Sequence, residues 1–149
     1  MYRSLLVPLD GSDHAAHALA VAVQMLDDHA SLYVINVPEP PMATDRLGAS
    51  VGAAPLDYTP EMAREQAEQV IQESLDKAGL NRNKVHVIVR GRPAVEAILE
   101  EARALDIDAI VMGSRGLSDL HGLFVGSVSH KVSHLASCPV ITVHLPNKT

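Results

Sequence analysis

The chain has 149 residues, the size of one domain that can bury a hydrophobic core of its own. Apolar residues make up 47% of it and charged residues 20%, which is typical of a globular and not of a disordered protein. Eighteen acidic against 12 basic residues leave a formal net charge of -6, and aromatic residues make up 3%. Nucleic-acid binding needs a basic surface or stacking rings, so the composition argues against that class of partner. It does not exclude a single small anion bound by backbone groups.

The N-terminal residues and the single cysteine predict a cytoplasmic protein. Residues 1–7 meet Pro8 and Asp10 too early for a signal peptide, and no stretch approaches the roughly 20 apolar residues of a membrane span. Cys138 has no second cysteine with which to form an internal disulfide. Its position beside Pro139 in an apolar run predicts a buried, unreactive thiol.

Short apolar, β-branched runs alternate with longer segments of helical periodicity, which predicts five strands and four helices. The predicted strands lie at residues 5–7, 32–35, 85–89, 109–112 and 140–143. Ser12 is placed to cap the first helix, Pro60 and Pro93 suit first turns, and Gly79 suits a helix end. The alternation predicts an α/β fold, a single open, mostly parallel five-stranded sheet with helices on both faces. Because neither a repeat nor a linker is visible, residues 1–149 are expected to form one domain.

In open parallel sheets, ligands bind beyond the carboxyl ends of the strands, where the strand order reverses. The segments that meet this condition follow Leu9, Val37, Arg90 and Met112. The segment at 38–58 is rich in Pro, Gly and Ala and shows little periodicity. It is predicted to be a mobile loop that serves as a lid or a partner contact, with an insertion of no function as the alternative.

The segment after the fourth predicted strand carries groups suited to phosphate. These groups are Gly113, Gly116, Gly126, the charge of Arg115 and the hydroxyls of Ser127 and Ser129. Glycine permits positive φ and a close approach of backbone to ligand, while the N–H groups and dipole of a helix N-terminus attract phosphate. The alternative is a long connection that only needs turns.

A second loop adds complementary chemistry. Asp10 stands just beyond the first strand, where a carboxylate can accept hydrogen bonds from ribose hydroxyls. The alternative is a turn or capping carboxylate, common in Asp-Gly-Ser runs. Backbone groups around Val37 could contact an adenine edge. Together with the glycine segment, this loop predicts a nucleotide site.

These segments resemble the universal stress protein family, in its nucleotide-binding subclass. The family signature is Gly, two residues, Gly, nine residues, Gly and then Ser or Thr, and Gly113, Gly116, Gly126 and Ser127 match it. Residues 6–12 and 138–143 match the family's first and closing segments, so the resemblance spans nearly the whole chain. It implies a Rossmann-like fold of the adenine nucleotide alpha hydrolase type, ATP binding with Mg²⁺ able to join through the phosphates, and homodimers. Residues 38–58 depart from any common pattern, and nothing is implied for them.

The resemblance also implies which residues contact the nucleotide and the second subunit. Adenine and ribose would be surrounded by Pro8, Leu9, Asp10 and Val37. The nucleotide would be lined by Met112, Gly113 and Gly116, and its phosphates held by Gly126, Ser127, Val128 and Ser129, with Arg115 supplying a charge. The homodimer would form through the last strand, at Val140, Ile141, Thr142, Val143 and His144.

Neither a metal site nor a catalytic group is predicted. Two histidine pairs, His14 with His17 and His130 with His134, could each share a helix face, but no third ligand is evident. Near the presumed phosphates in sequence lie Ser114, Ser118, Asp119 and His121. Their spacing does not define a nucleophile, a base and an orienting group.

The sequence therefore predicts an ATP-binding regulator or sensor of the stress response that acts through an unidentified partner protein. A weak ATPase or phosphotransferase is the alternative from the enzyme class. A nucleotide-free structural dimer or adaptor is the other alternative. Neither nucleic-acid binding nor membrane insertion is expected.

Overall fold

The computed structural model describes residues 1–39, 57–116 and 126–146. These residues form the strands β1 (Tyr2–Pro8), β2 (Leu26–Asn36), β3 (His86–Val89), β4 (Ala109–Gly113) and β5 (Val140–Val143). The helices between them are α1 (Asp13–Gln24), α2 (Pro60–Ala78), α3 (Ala94–Ala104) and α4 (Ser127–Leu135), with a 3-10 turn at Arg82–Lys84. The predicted alternation is confirmed. Most of the predicted loop at 38–58 lies outside the described residues, as do Ser118, Asp119 and His121.

The five strands form one parallel sheet in the order β3-β2-β1-β4-β5. In the centre, Leu5 of β1 lies opposite Leu32 of β2 on one side and Ala109 of β4 on the other. The chain builds outward from β1 through β2 to β3, and then returns to add β4 and β5 on the opposite side. The strand order therefore reverses between β1 and β4, which is where ligand sites form in such sheets. The predicted fold class is confirmed.

Hydrophobic layers cover both faces of the sheet. Leu5 and Val7 of β1 pack toward α1 and α2, whereas Leu6 between them packs toward α3 and α4. All three are fully buried, because successive side chains of a strand point to opposite faces. Burial on both faces is the reason that the central strands are apolar almost throughout.

The helix boundaries follow the predicted capping residues. The hydroxyl of Ser12 accepts a hydrogen bond from the Ala15 N–H at 3.1 Å, and Pro60 is the first residue of α2. Gly79 ends α2 in the left-handed conformation with φ of 70°. Pro93 precedes α3 by one position, as its N-cap, and so lies just before the first turn in which it was expected. Within the described ranges, no helix has both the length and the apolarity to cross a membrane.

Strand β2 is longer than predicted. It begins at Leu26, whereas the apolar pattern indicated a start at Leu32. The added residues include Asp27 and Asp28, which are exposed and so give no apolar pattern. The pairing with β1 is also irregular here, because the register shifts between Tyr2 and the rest of the strand.

Candidate functional site

A cavity of about 360 Å³ opens at the carboxyl ends of β1, β2 and β4. This is the edge at which the strand order reverses, and the volume is that of a small-molecule site. Ten residues that the sequence analysis placed around a nucleotide line it: Pro8, Leu9, Asp10, Val37, Met112, Gly113, Arg115, Gly116, Val128 and Ser129. The other two, Gly126 and Ser127, do not line the cavity and directly precede Val128 in the chain. The structure therefore brings residues from both ends of the chain to one place.

The cavity also has lining residues that the sequence analysis did not single out. Its further apolar lining consists of Ala15, Ile35, Pro38, Val70, Ala94 and Ile98, and its further polar lining of Asn36, Glu39 and Gln66. Ile98 and Val70 stand at helical spacing with other apolar residues of their segments, but this pattern is the same for a core residue and for a cavity wall. Asn36 did carry a usable signal, because it is a polar residue directly after the apolar run at 32–35.

The loop after β1 is held by hydrogen bonds to β2 and to the start of α1. The Leu9 N–H donates to the Ile35 carbonyl at 2.8 Å, and the Leu9 carbonyl accepts from the Asn36 side-chain amide at 2.7 Å. One carboxylate oxygen of Asp10 accepts from the Ser12 N–H at 2.9 Å, so Asp10 does act as a turn carboxylate. Asp10 is nevertheless exposed and lines the cavity. A carboxylate has about four acceptor positions, so it can accept from more than one donor at a time.

Gly113 is required by packing between the sheet and α1. A Cβ atom at this position would lie 2.8 Å from both the backbone carbon and the Cβ of His14. Such a distance is shorter than any normal contact, so only glycine lets α1 approach the end of β4 this closely. Among the described glycines, positive φ occurs at Gly11 and Gly79. Gly113 therefore serves a close approach of two backbone segments and does not have positive φ.

Hydrogen bonds also join the start of α4 to the end of β4. The Ser114 carbonyl accepts from the Gly126 N–H at 2.8 Å and from the Ser129 hydroxyl at 3.3 Å. The same hydroxyl also lies within hydrogen-bond distance of the Gly126 carbonyl, at 3.0 Å. Both donors, which were assigned to phosphate, thus have acceptors within the chain. The N–H groups of Ser127 and Val128 lie in the first turn of α4, where the helix offers them no acceptor. The dipole of α4 favours an anion at the same place.

In the part of the chain that the structure describes, three buried side-chain atoms have no hydrogen-bond partner. They are His14 Nδ1, Asn36 Oδ1 and Ser114 Oγ. Buried polar atoms are normally paired, so each unpaired one calls for an explanation. Of these three residues, Asn36 lines the cavity.

One of the two histidine pairs is in direct contact. His130 and His134 contact each other edge to face, with ring centroids 4.6 Å apart. Within residues 1–39, 57–116 and 126–146, no three His, Cys, Asp or Glu side chains are grouped as metal ligands.

Cys138 is half-buried, and so less enclosed than predicted. It packs against the core layer formed with α3 and α4. Burial raises the pKa of its thiol, which lowers the thiolate fraction at neutral pH.

Comparison with known proteins supplies the family context of this site. Residues 1–144 match the model of the universal stress protein family. A protein from Thermus aquaticus, described as a universal stress protein in the QAH/OAS sulfhydrylase 3' region, is 40% identical over 144 residues, which cover 96% of this chain and 99% of the relative.

Two solved structures share the fold. A universal stress protein in complex with cAMP superposes with a TM-score of 0.65 at 24% identity, over 96% of this chain and 97% of the other. The universal stress protein from Archaeoglobus fulgidus in complex with dAMP gives a TM-score of 0.59 at 21% identity, over 95% and 98%. At these identities the likeness shows a common architecture.

Proposed function

Because this chain belongs to the universal stress protein family, we propose that it binds an adenine nucleotide, ATP, at the carboxyl edge of its sheet and acts as a nucleotide-dependent regulator. The observation that carries the proposal is a single cavity that brings together Asp10, Val37 and the first turn of α4. Each of these supplies a different chemistry that a nucleotide needs. The ligands of the two structural relatives, cAMP and dAMP, both contain adenine.

The inner part of the cavity suits a purine base. Its walls include Leu9, Ile35, Ile98 and Met112, whose apolar side chains can cover both faces of a flat ring. Val37 follows the last residue of β2, so its backbone N–H and carbonyl lie beyond the β2–β3 ladder. These backbone groups are suited to hydrogen-bond the edge of adenine, which presents both donors and acceptors.

The rim of the cavity suits ribose and phosphates. Asp10 offers carboxylate oxygens to the ribose hydroxyls, while Arg115 contributes a positive charge. The phosphates would extend to the amides of Ser127 and Val128 in the first turn of α4. Bound Mg²⁺ would be held mainly by these phosphates and by water, as is usual for this ion.

Nucleotide occupancy would act on the rest of the molecule through residues that line the cavity. The Gln66 side-chain amide donates to the Glu39 carbonyl at 3.3 Å, and its oxygen accepts from the Tyr58 hydroxyl at 2.6 Å. Gln66 therefore contacts both flanks of the segment between Glu39 and Tyr58. A ligand that displaces Gln66 would alter both flanks, and a partner protein would recognise the difference. Regulation of this kind requires that the ligand bind one arrangement more tightly than the other.

We further propose that two copies pair through β5. This strand forms one edge of the sheet and is hydrogen-bonded to β4 on its inner side. Val140, Ile141 and Val143 are half-buried, so apolar surface remains at this edge. Exposed strand edges of this kind readily pair with another chain.

The first experiment is to denature freshly purified protein and identify any released nucleotide by chromatography and mass spectrometry. Calorimetric titration of nucleotide-free protein with ATP then measures the affinity. Asp10→Asn keeps the acceptor oxygen for the Ser12 N–H but removes the charge, and is expected to weaken ATP binding about tenfold. Asp28→Asn makes the same charge change at an exposed residue of β2, far from the cavity, and should leave the affinity for ATP unchanged.

Two outcomes would contradict the proposal. The first is that the folded protein releases no nucleotide and binds none, which would favour a purely structural dimer. The second is multiple turnovers of labelled ATP with Mg²⁺ that Asp10→Ala abolishes without unfolding the protein, which would favour an ATPase.

A further inference from the structure

Asn36 is a buried polar residue that lines the cavity at the end of β2 and is bonded to the segments that follow β1 and β3. Asn36 is 5% exposed, and its side-chain amide nitrogen donates to the Leu9 carbonyl at 2.7 Å. The backbone carbonyl of Asn36 accepts from the Arg90 N–H at 3.2 Å. Asn36 thus contacts the segments that follow β1 and β3 while it ends β2.

The bond from Asn36 replaces a missing bond of the β-ladder. The Leu9 N–H still donates to the Ile35 carbonyl at 2.8 Å, which extends the β1–β2 ladder by one bond. The Leu9 carbonyl lies beyond this point, where β2 offers it no further backbone donor. A buried carbonyl without a donor is unfavourable, and the Asn36 amide supplies the donor.

The orientation of the Leu9 carbonyl sets the path of the chain into Asp10. This carbonyl belongs to the planar peptide unit that joins Leu9 to Asp10, so fixing its oxygen fixes the plane of that unit. On the other side, the Ser12 N–H donates to the Asp10 carboxylate at 2.9 Å. Asp10 is therefore positioned by two hydrogen bonds, one from Asn36 to the preceding peptide unit and one from the Ser12 N–H to its carboxylate.

We propose that Asn36 is a positioning residue for nucleotide binding, whose amide N–H holds the Leu9 carbonyl so that the Asp10 carboxylate faces the ribose hydroxyls. The proposal rests on the proposed function of the cavity. The unpaired Asn36 oxygen supports it. A leucine of similar size would leave no unpaired side-chain oxygen here, but it would also leave the Leu9 carbonyl without its donor. An amide is therefore needed at this position for its N–H group, which donates to the Leu9 carbonyl and so holds the loop before Asp10.

The test compares ATP with 2',3'-dideoxy-ATP, which lacks the hydroxyls that Asp10 would bind. Wild-type protein is expected to prefer ATP about tenfold. Asn36→Leu is expected to reduce this preference to less than about twofold, because it weakens the binding of ATP more than the binding of dideoxy-ATP. For the same reason, Asp10→Asn should weaken ATP binding in the wild-type background and have little further effect in Asn36→Leu.

Ser74→Ala is the matched control for loss of a buried hydrogen bond. Ser74 is 2% exposed and its hydroxyl donates to the Val70 carbonyl at 2.8 Å, but it does not line the cavity. This variant should keep the full preference for ATP. A merely structural effect of Asn36 would lower both nucleotide affinities together and leave their ratio unchanged.

Asn36→Ala is the second variant in case Asn36→Leu does not fold, because the space it opens allows a water molecule to reach the Leu9 carbonyl. It should lose the ATP preference as well. If the wild-type protein prefers ATP and both folded variants retain that preference, the role of Asn36 is overturned. If the wild-type protein binds no adenine nucleotide at all, the proposed function itself fails, and the two failures are thus distinct.

Discussion

The backbone N–H of Gly126 donates to the carbonyl oxygen of Ser114 at 2.8 Å. This bond joins the residue that precedes α4 to the residue that follows β4, and so it holds the start of the helix at the carboxyl edge of the sheet. Because the Gly126 amide already has an acceptor, the proposed phosphate site would use the next amides along the helix. The first amide in this position is that of Ser127.

Ser127→Pro is expected to weaken ATP binding about tenfold, since it removes the N–H group at the first position of α4. Proline is well tolerated at this position of a helix, and Gly126 already has φ of -52° and ψ of 141°, which suit a residue before proline. Isothermal titration with ATP and with adenosine measures the effect. The affinity for adenosine should not change, because adenosine has no phosphate.

Ser127→Ala is the control for this variant, because it removes the hydroxyl and keeps the N–H group. A smaller loss than in Ser127→Pro assigns the binding to the amide. Equal ATP affinity in folded Ser127→Pro and wild type would contradict a phosphate site at the start of α4.

Thr142→Pro is expected to convert the proposed β5-paired dimer to a monomer. The carbonyls of Pro139 and Val143 accept from Ile110 and Ser114 of the β4 side, so alternate residues of β5 face β4. The N–H of Thr142 therefore points to the open edge, and proline can replace it without loss of a bond to β4. Light scattering after size-exclusion chromatography measures the mass, with Thr142→Ala as the dimeric control. A dimeric Thr142→Pro protein would mean that another surface forms the dimer.

Gly113→Ala is expected to lower the free energy of unfolding by about 1–3 kcal/mol, since the added Cβ would overlap the backbone of His14. The melting temperature should fall by roughly 2–12 °C. Gly91→Ala is the matched control, because a Cβ at Gly91 would have no heavy atom within 4 Å, and its effect should stay within about 0.5 kcal/mol. Thermal and urea denaturation followed by circular dichroism measure both variants. Equal stability of the two would show that α1 can move away from β4 at little cost.

Alkylation of Cys138 by iodoacetamide is expected to be slower in native than in denatured protein at the same pH. Burial raises the pKa of this thiol, and the thiolate is the form that reacts. The rate of native alkylation should therefore rise at higher pH than the rate of denatured alkylation. Because the folded-state pKa is raised, the associated stabilisation is present below the unfolded-state pKa and is lost as the pH rises toward the folded-state value. Coincident pH profiles would contradict the shift.

The sequence predicted much of the candidate site because the relevant residues are close to strand ends. Asp10 follows the run at 5–7 by a few residues, and Val37 follows the run at 32–35. In a parallel sheet, strand ends that point the same way meet at one edge, so local position was enough to group them. Ile98 and Gln66 could not be identified in this way, because their approach to the cavity depends on how far α3 and α2 lie from the sheet.

The roles of individual groups depended on contacts between residues far apart in the chain. Gly113 fits a ligand-binding signature, yet the neighbour that excludes a side chain there is His14 on α1. The amide of Gly126 fits the same signature, yet it is bonded to Ser114. A pattern of residue types indicates what a group is able to do, but not which atom it meets.

Periodicity, capping residues and strand composition alone determined the order of strands and helices, the parallel sheet and the edge at which a ligand would bind. These features are local, because each depends on how a few neighbouring residues satisfy their backbone and bury one face. The tertiary structure decided which glycine serves packing, which amides remain for an anion, and that Asn36 holds the loop before Asp10. These depend on distances between segments that the chain brings together only when both faces of the sheet are buried.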